Sequence, residues 1–172
     1  MNGQFEESGF VDRLTAALRL DVDVYRTVGG DSGATGQAVR VVLLAGVCNG
    51  IALSARLGVA GVVAGVLVGL LGWVLWAACI ALVGALARLR APVAVLLRVL
   101  GFANAPGIFL AGGVVPQLAT PVRVVVALWL VAATVPAAQA AFDVGRGRAI
   151  ALALVAFAVY LALGVLSAQF AQ

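Results

Sequence analysis

LGVAGVVAGVLVGLLGWVLWAACIALVGALA, residues 57–87, runs for thirty-one residues without a charged side chain. As one α-helix it would measure about 46 Å, against a hydrocarbon core of roughly 30 Å. That is too long for one upright span and too short for two with a turn. Its glycine-rich start is therefore expected to form a loop or a slanted entry, with the span itself over 60–87. The whole chain shares this character: 64% of its 172 residues are hydrophobic, 10% are charged, and the mean hydropathy is +1.15. Too little polar surface remains to cover a soluble globule, so lipid is the implied solvent. The expected fold class is all-α, a polytopic integral membrane helix bundle, because helices satisfy their own backbone groups in lipid.

Upstream, only fifteen residues, none charged, separate Arg40 from Arg56. They give about 22 Å of helix, so the first span must begin earlier and run over 34–56, with Arg40 snorkelling to the headgroups. Downstream, residues 91–122 contain Arg98, Asn104, Pro106, Gly112, Gly113, Pro116 and Pro121. A third span over 92–116, broken near 104–107, follows from the missing proline donor and its restriction of the preceding residue. A fourth span over 122–142 and a fifth over 148–170 flank a turn from Asp143 to Gly147. The count is about five.

Residues 1–33 are the expected cytoplasmic segment, a short amphipathic helix. Phe10, Val11, Leu14, Leu18, Val22, Tyr25 and Val28 share one side of a helical wheel, opposite Asp12, Arg13, Thr15, Arg19, Asp23 and Arg26. Asp21 falls on the apolar side and is expected to N-cap a second short helix. Asp31 or Ser32, in the turn from Gly29 to Gly33, is expected to cap the first span. Such an element can lie on the membrane surface, dock a partner or pack on its own bundle. Glu6 and Glu7 occupy the place of a basic leader region, so the first apolar segment is expected to be retained.

All eleven cations are arginine, and the net charge is +4. They punctuate apolar runs and form no basic patch, so they read as topology markers and no nucleic-acid partner is expected. With the N-terminus in the cytoplasm, Arg13, Arg19, Arg26, Arg40, Arg88, Arg90, Arg146 and Arg148 lie inside and only Arg56 and Arg123 outside. A re-entrant third segment would flip the last two spans and move Arg146 and Arg148 outside, against this bias. Histidine is absent, which removes imidazole bases and histidine metal ligands. No enzyme activity, metal or cofactor is expected.

Three constellations stand out. Gly61, Gly65 and Gly69 recur every four residues, as do Gly46, Gly50 and Ser54 one span earlier and Ala133, Ala137 and Ala141 in the fourth. Such stripes let helix backbones approach, either within the bundle or across a dimer. Asn104, with Arg98 six residues earlier, is the most polar place inside the apolar segments, and marks either a pathway or backbone groups satisfied at the break. Asp143, Arg146 and Arg148 form an interfacial turn that either binds a lipid headgroup or partner or is simply solvated. Trp73, Trp76 and Trp129 are aromatic-belt candidates, with packing the better role for the first two. Cys48 and Cys79, counted from Arg40 and Arg88, are expected at one level, either facing each other or as separate packing residues.

Several runs in order, DSGATGQAVRVVLLA (31–45), GWVLWA (72–77), LRVLGFANAPG (97–107) and GRAI (147–150), following the amphipathic stretch that ends in Tyr25, resemble the bacterial branch of the Yip family, the Ypt-interacting-protein-like membrane proteins. The resemblance implies five spans, a cytoplasmic N-terminus and no catalytic residues. It also implies the family's association with small GTPases and membrane shaping, which in eukaryotic relatives accompanies a much longer cytosolic N-terminal region. The short segment here does not lead us to expect a GTPase partner. The expected role is a non-enzymatic membrane-organising or scaffold protein of the bacterial cell membrane. Its expected partners are the lipid bilayer and a membrane protein or second copy. An accessory subunit of a larger complex and a small oligomeric channel or transporter are the alternatives.

Overall fold

The computed structural model describes residues 2–170, with side-chain surroundings over 9–159. The side chains of Glu6 and Glu7, and those of the fifth expected span beyond residue 159, lie outside the described residues. The elements are α1 (Asn2–Leu18), α2 (Val22–Gly30), α3 (Ala34–Leu57), α4 (Val59–Leu86), α5 (Val93–Ala103), a 3₁₀ segment (Ala105–Val114), α6 (Pro116–Phe142) and α7 (Arg146–Phe170). Every regular element among the described residues is helical. α3, α4 and α6 are each long and apolar enough to cross a membrane, and α5 with the 3₁₀ segment adds a fourth if the pair, bent by 40°, is one span. This is consistent with a membrane protein. Large apolar side chains such as Leu71, Leu75, Val125 and Leu128 are exposed along α4 and α6, a surface suited to lipid.

The α3–α4 pair is built on backbone contact. A Cβ added at Gly65 would collide with the backbone of Gly50 and reach the Gly46 carbonyl oxygen at 2.6 Å. One added at Gly61 would stand 2.8 Å from the Leu53 carbonyl carbon, and one at Gly50 2.6 Å from the Val62 Cα. Gly69 lies against Gly46, 3.1 Å from its Cα by the same measure. The two stripes therefore face each other inside the chain. With side chains removed from the seam, dispersion acts between the backbones themselves.

The register of this seam moves the cysteines apart. Gly46 meets Val66, Gly50 meets Val62, and Gly69 reaches Val42, so Cys48 is level with residue 64 and Cys79 with the start of α3. The thiols are about 20 Å apart along the helix axes. Counting from Arg40 and Arg88 failed because α4 continues well past the first residue of α3. The glycine-rich start of the long run is also helical: Gly58 alone, at φ 57°, makes the turn between α3 and α4.

α5 and the 3₁₀ segment run alongside α3 in the same direction. Cβ atoms added at Gly101 and Gly107 would meet those of Ala38 at 2.6 Å and Ala45 at 2.8 Å, and one at Gly113 would touch that of Ala52 at 3.4 Å. Twelve residues thus keep pace with fourteen of α3, because the 3₁₀ helix rises about 2.0 Å per residue. α6 returns antiparallel, starting at Pro116, earlier than expected, and Phe142 at its end lies against Gly84. The turn to α7 shortens to 143–145.

Three helices end on residues other than glycine in the left-handed conformation: Leu20, Arg88 and, after α6, Asp143 (φ 49°), and the first two close alike. At Leu20 (φ 63°), Asp21 N–H donates to Ala16 O and Leu20 N–H to Ala17 O. At Arg88 (φ 61°), Leu89 N–H donates to Gly84 O and Arg88 N–H to Ala85 O. Both are Schellman closures, and each carries about 1–2 kcal/mol of left-handed strain. Asp21 then caps α2 through a bond from Asp23 N–H.

Gly65→Leu should destabilise the protein by about 3 kcal/mol or more, because its side chain has only backbone to displace. Val63→Leu, on a face 57% exposed, should change stability by less than about 0.5 kcal/mol. Denaturant titration in detergent micelles, followed by circular dichroism, measures both.

Candidate functional site

Inside the apolar bundle, α4, α5, the 3₁₀ segment, α6 and α7 enclose a half-open cavity of about 350 Å³, lined by Trp73, Trp76, Asn104, Leu130, Thr134 and Phe157 among others. Its size is at the lower end of the range for small-molecule sites, and its walls are largely apolar. The helices place its few polar groups by ordinary local rules. Asn104 follows the last residue of α5 and donates from Nδ2 to the Leu100 carbonyl at 2.8 Å, while Gly107 N–H returns to the Asn104 carbonyl at 2.8 Å. The break thus satisfies the carbonyl that the end of α5 leaves open.

Trp73 donates from Nε1 to the Leu97 carbonyl at 3.0 Å and pins α4 to α5. Trp76 donates from Nε1 to Thr134 Oγ1 at 3.3 Å, and Thr134 donates in turn to the Leu130 carbonyl at 2.9 Å. Thr134, 1% exposed, escaped the sequence reading because a threonine in an apolar span gives no pattern of its own. Asn49 also escaped it. Half-buried on α3, it shares the face of Ala45 and Ala52, which packs on the 3₁₀ segment.

The structure separates Arg98 from Asn104. Six residues on a helix put them on different sides, and Arg98 does not line the cavity. It is buried, 8% exposed, with Nε donating to the Ala94 carbonyl at 3.0 Å. No buried side-chain nitrogen or oxygen among the described residues lacks a partner. Ala133 and Ala137 are fully buried within the bundle. Asp143, in a left-handed C-cap, forms no ion pair with Arg146 or Arg148, and all three are exposed.

The N-terminal helices pack on this assembly, with α2 against α5 and α6. Tyr25 and Val28 are fully buried, whereas Val11 on the same wheel face is exposed. Tyr25 Oη donates to the Ala17 carbonyl at 3.2 Å, and Trp129 Nε1 donates to the Leu18 carbonyl at 3.2 Å, so both close the open end of α1. Burial raises the Tyr25 phenol above its ordinary value and keeps it a donor. Phe109 stacks on Trp129, with ring centroids 5.4 Å apart. Trp129 is thus a packing and capping residue.

Arg13 bridges α1 to the start of α3, donating to Asp31 Oδ2 at 2.9 Å and to Gln37 Oε1 at 3.0 Å. Asp31 does not cap α3, whose N-cap is Gly33; its Oδ1 instead accepts Gly33 N–H at 2.9 Å. The Arg13 hydrogen bond, then that from Gly33, holds the Asp31 carboxyl below its ordinary 3.8.

Searches for relatives find no match: no family model, no curated protein and no solved structure aligns with the chain.

A lowered carboxyl pKa contributes stability above the ordinary aspartate range and loses it as pH falls through the folded value. Docking of α1 should therefore weaken as pH drops below about 4. Asp31→Asn should speed hydrogen exchange of the α1 amides at pH 6 and flatten its acid dependence, by a modest amount because the pair is solvent-screened.

Proposed function

We propose that this chain is a non-enzymatic integral membrane protein that organises or scaffolds other membrane components through helix–helix contacts. In this reading it spans the bacterial cell membrane five times, with its N-terminus in the cytoplasm. The observation that carries the proposal is the direction of the polar groups inside the apolar bundle. Trp73, Trp76, Arg98 and Asn104 all donate to the protein's own carbonyls or hydroxyl: the two tryptophans join helices, Asn104 closes the end of α5, and Arg98 turns back on its own helix at Ala94. This use of polar side chains favours a rigid body over a site that must rehydrate or exchange protons.

The five-span count is supported by the parallel course of α3 and the broken segment between the levels of Ala38 and Ala52, since a re-entrant loop would turn back. The arginine bias supports the orientation. The ordered sequence runs support placing the chain beside the bacterial Yip-like proteins. The glycine stripes of α3 and α4 are consumed within the chain, so contact with a membrane-protein partner or second copy falls to the exposed apolar faces of α4 and α6. The cavity at Asn104 favours a second reading, a small oligomeric channel or transporter.

A reporter fused after Gln172 should lie on the side opposite the N-terminus, and both termini on one side would overturn the five-span reading. In proteoliposomes a scaffold gives no solute flux sensitive to Asn104→Ala, whereas such a flux would establish the transporter reading. Photo-crosslinkers at Leu75 and Leu128 should give a discrete protein adduct from one face, and lipid adducts alone from both would reject scaffolding.

A further inference from the structure

We propose that the groove between the α1–α2 turn and the α6–α7 turn binds the phosphate of an anionic phospholipid. The groove, of about 590 Å³, brings together Arg19, Leu20 and Val22 with Val135, Pro136 and Arg146. Two guanidinium groups, more than a hundred residues apart in sequence, thus share one cleft at the end of the bundle where α6 stops and α7 starts. The sequence places Arg146 in a turn with Asp143 and Arg148, whereas the fold brings it to the groove that Arg19 also lines.

The two charges are uncompensated. Neither Arg19 nor Arg146 has a carboxylate within 4.0 Å among the described residues. Asp21, two residues from Arg19, is turned to the start of α2, where it accepts Asp23 N–H at 3.0 Å. Asp23 pairs with Arg26 and Asp31 with Arg13. Two cations that line one groove, with Gln139 beside an apolar wall, give it a positive potential that an anion relieves. The guanidinium fork matches the oxygens of a phosphate, which accepts bonds from both.

The wall identifies the source of that phosphate. Val22, Ala132, Val135, Pro136 and Ile150 line the same groove. Ile150 continues one helical turn along α7 to Leu154, and the two side chains are 39% and 55% exposed. An acyl chain has an apolar track from the phosphate towards the bilayer interior. A free phosphate has no use for it. Basic pockets between helices at the membrane surface are built in this way.

The test uses the full-length protein, delipidated in neutral detergent and titrated with phosphatidylglycerol, phosphatidylcholine or inorganic phosphate, with adducts counted by native mass spectrometry. One phosphatidylglycerol should be retained about thirtyfold more strongly than phosphatidylcholine, the scale expected for two interfacial arginines. Arg19→Gln with Arg146→Gln should abolish the preference. Arg56→Gln with Arg123→Gln, which removes equal charge at the other end of the bundle, should keep it. Arg19→Lys with Arg146→Lys preserves the charge and should keep part of it, which separates loss of binding from loss of fold. No preference in the native protein, loss in the Arg56/Arg123 control, or complete loss in the lysine variant overturns the proposal. Displacement of phosphatidylglycerol by an equal concentration of inorganic phosphate overturns the lipid assignment, because the acyl track would then contribute nothing.

Discussion

Backbone-to-backbone contact between α3 and α4 is the constraint on which the rest of the bundle depends. Gly46, Gly50, Gly61 and Gly65 leave no side chain to adjust at the seam, so the two helices have one register and any shift meets a backbone atom. That register sets the height of Trp73 and Trp76 on α4, and hence which groups their indoles reach on α5 and α6. A second face of α3, carrying Ala38, Ala45 and Ala52, receives the broken segment almost as closely. One helix thus serves as the spine for two neighbours, and its small residues decide how near each can come.

The N-terminal helices complete this body. The last carbonyls of α1 are closed by Tyr25 and by Trp129, and Arg13 ties α1 to the start of α3. What the wheel shows as an amphipathic face is therefore divided. Tyr25 and Val28 are spent on the bundle, and Val11 stays exposed. The turn between the two helices carries Leu20 and Arg19 into the groove shared with Arg146.

Much of this was legible because it is periodic or chemically local. The four-residue glycine spacing announces a close helix contact, Asp21 announces a cap, and Pro106 with Asn104 announces a break. The unread parts depend on tertiary packing. Leu20 and Arg88 take the left-handed position that glycine marks elsewhere, so neither helix end carries its usual sign. The lengths of α3 and α4, and with them the separation of Cys48 from Cys79, are set by the seam, whereas arginines mark only where charge meets water. Asp31 reads as a cap by spacing, but Arg13 and Gly33 claim its oxygens. That Arg19 and Arg146 line one groove has no local signature at all.

The bond from Trp129 to Leu18 also bears on the order of biogenesis. α3 and α4 are joined by one residue, so their hairpin can close as soon as α4 has left the ribosome. α1 can take up its Arg13 bridge once the start of α3 has formed, but the indole that closes the Leu18 carbonyl lies 111 residues downstream on α6. Until α6 is in place the Leu18 carbonyl is served by water, while Tyr25 already closes that of Ala17. The end of α1 is thus among the last parts to be fixed in place, on a bundle whose central hairpin is already formed.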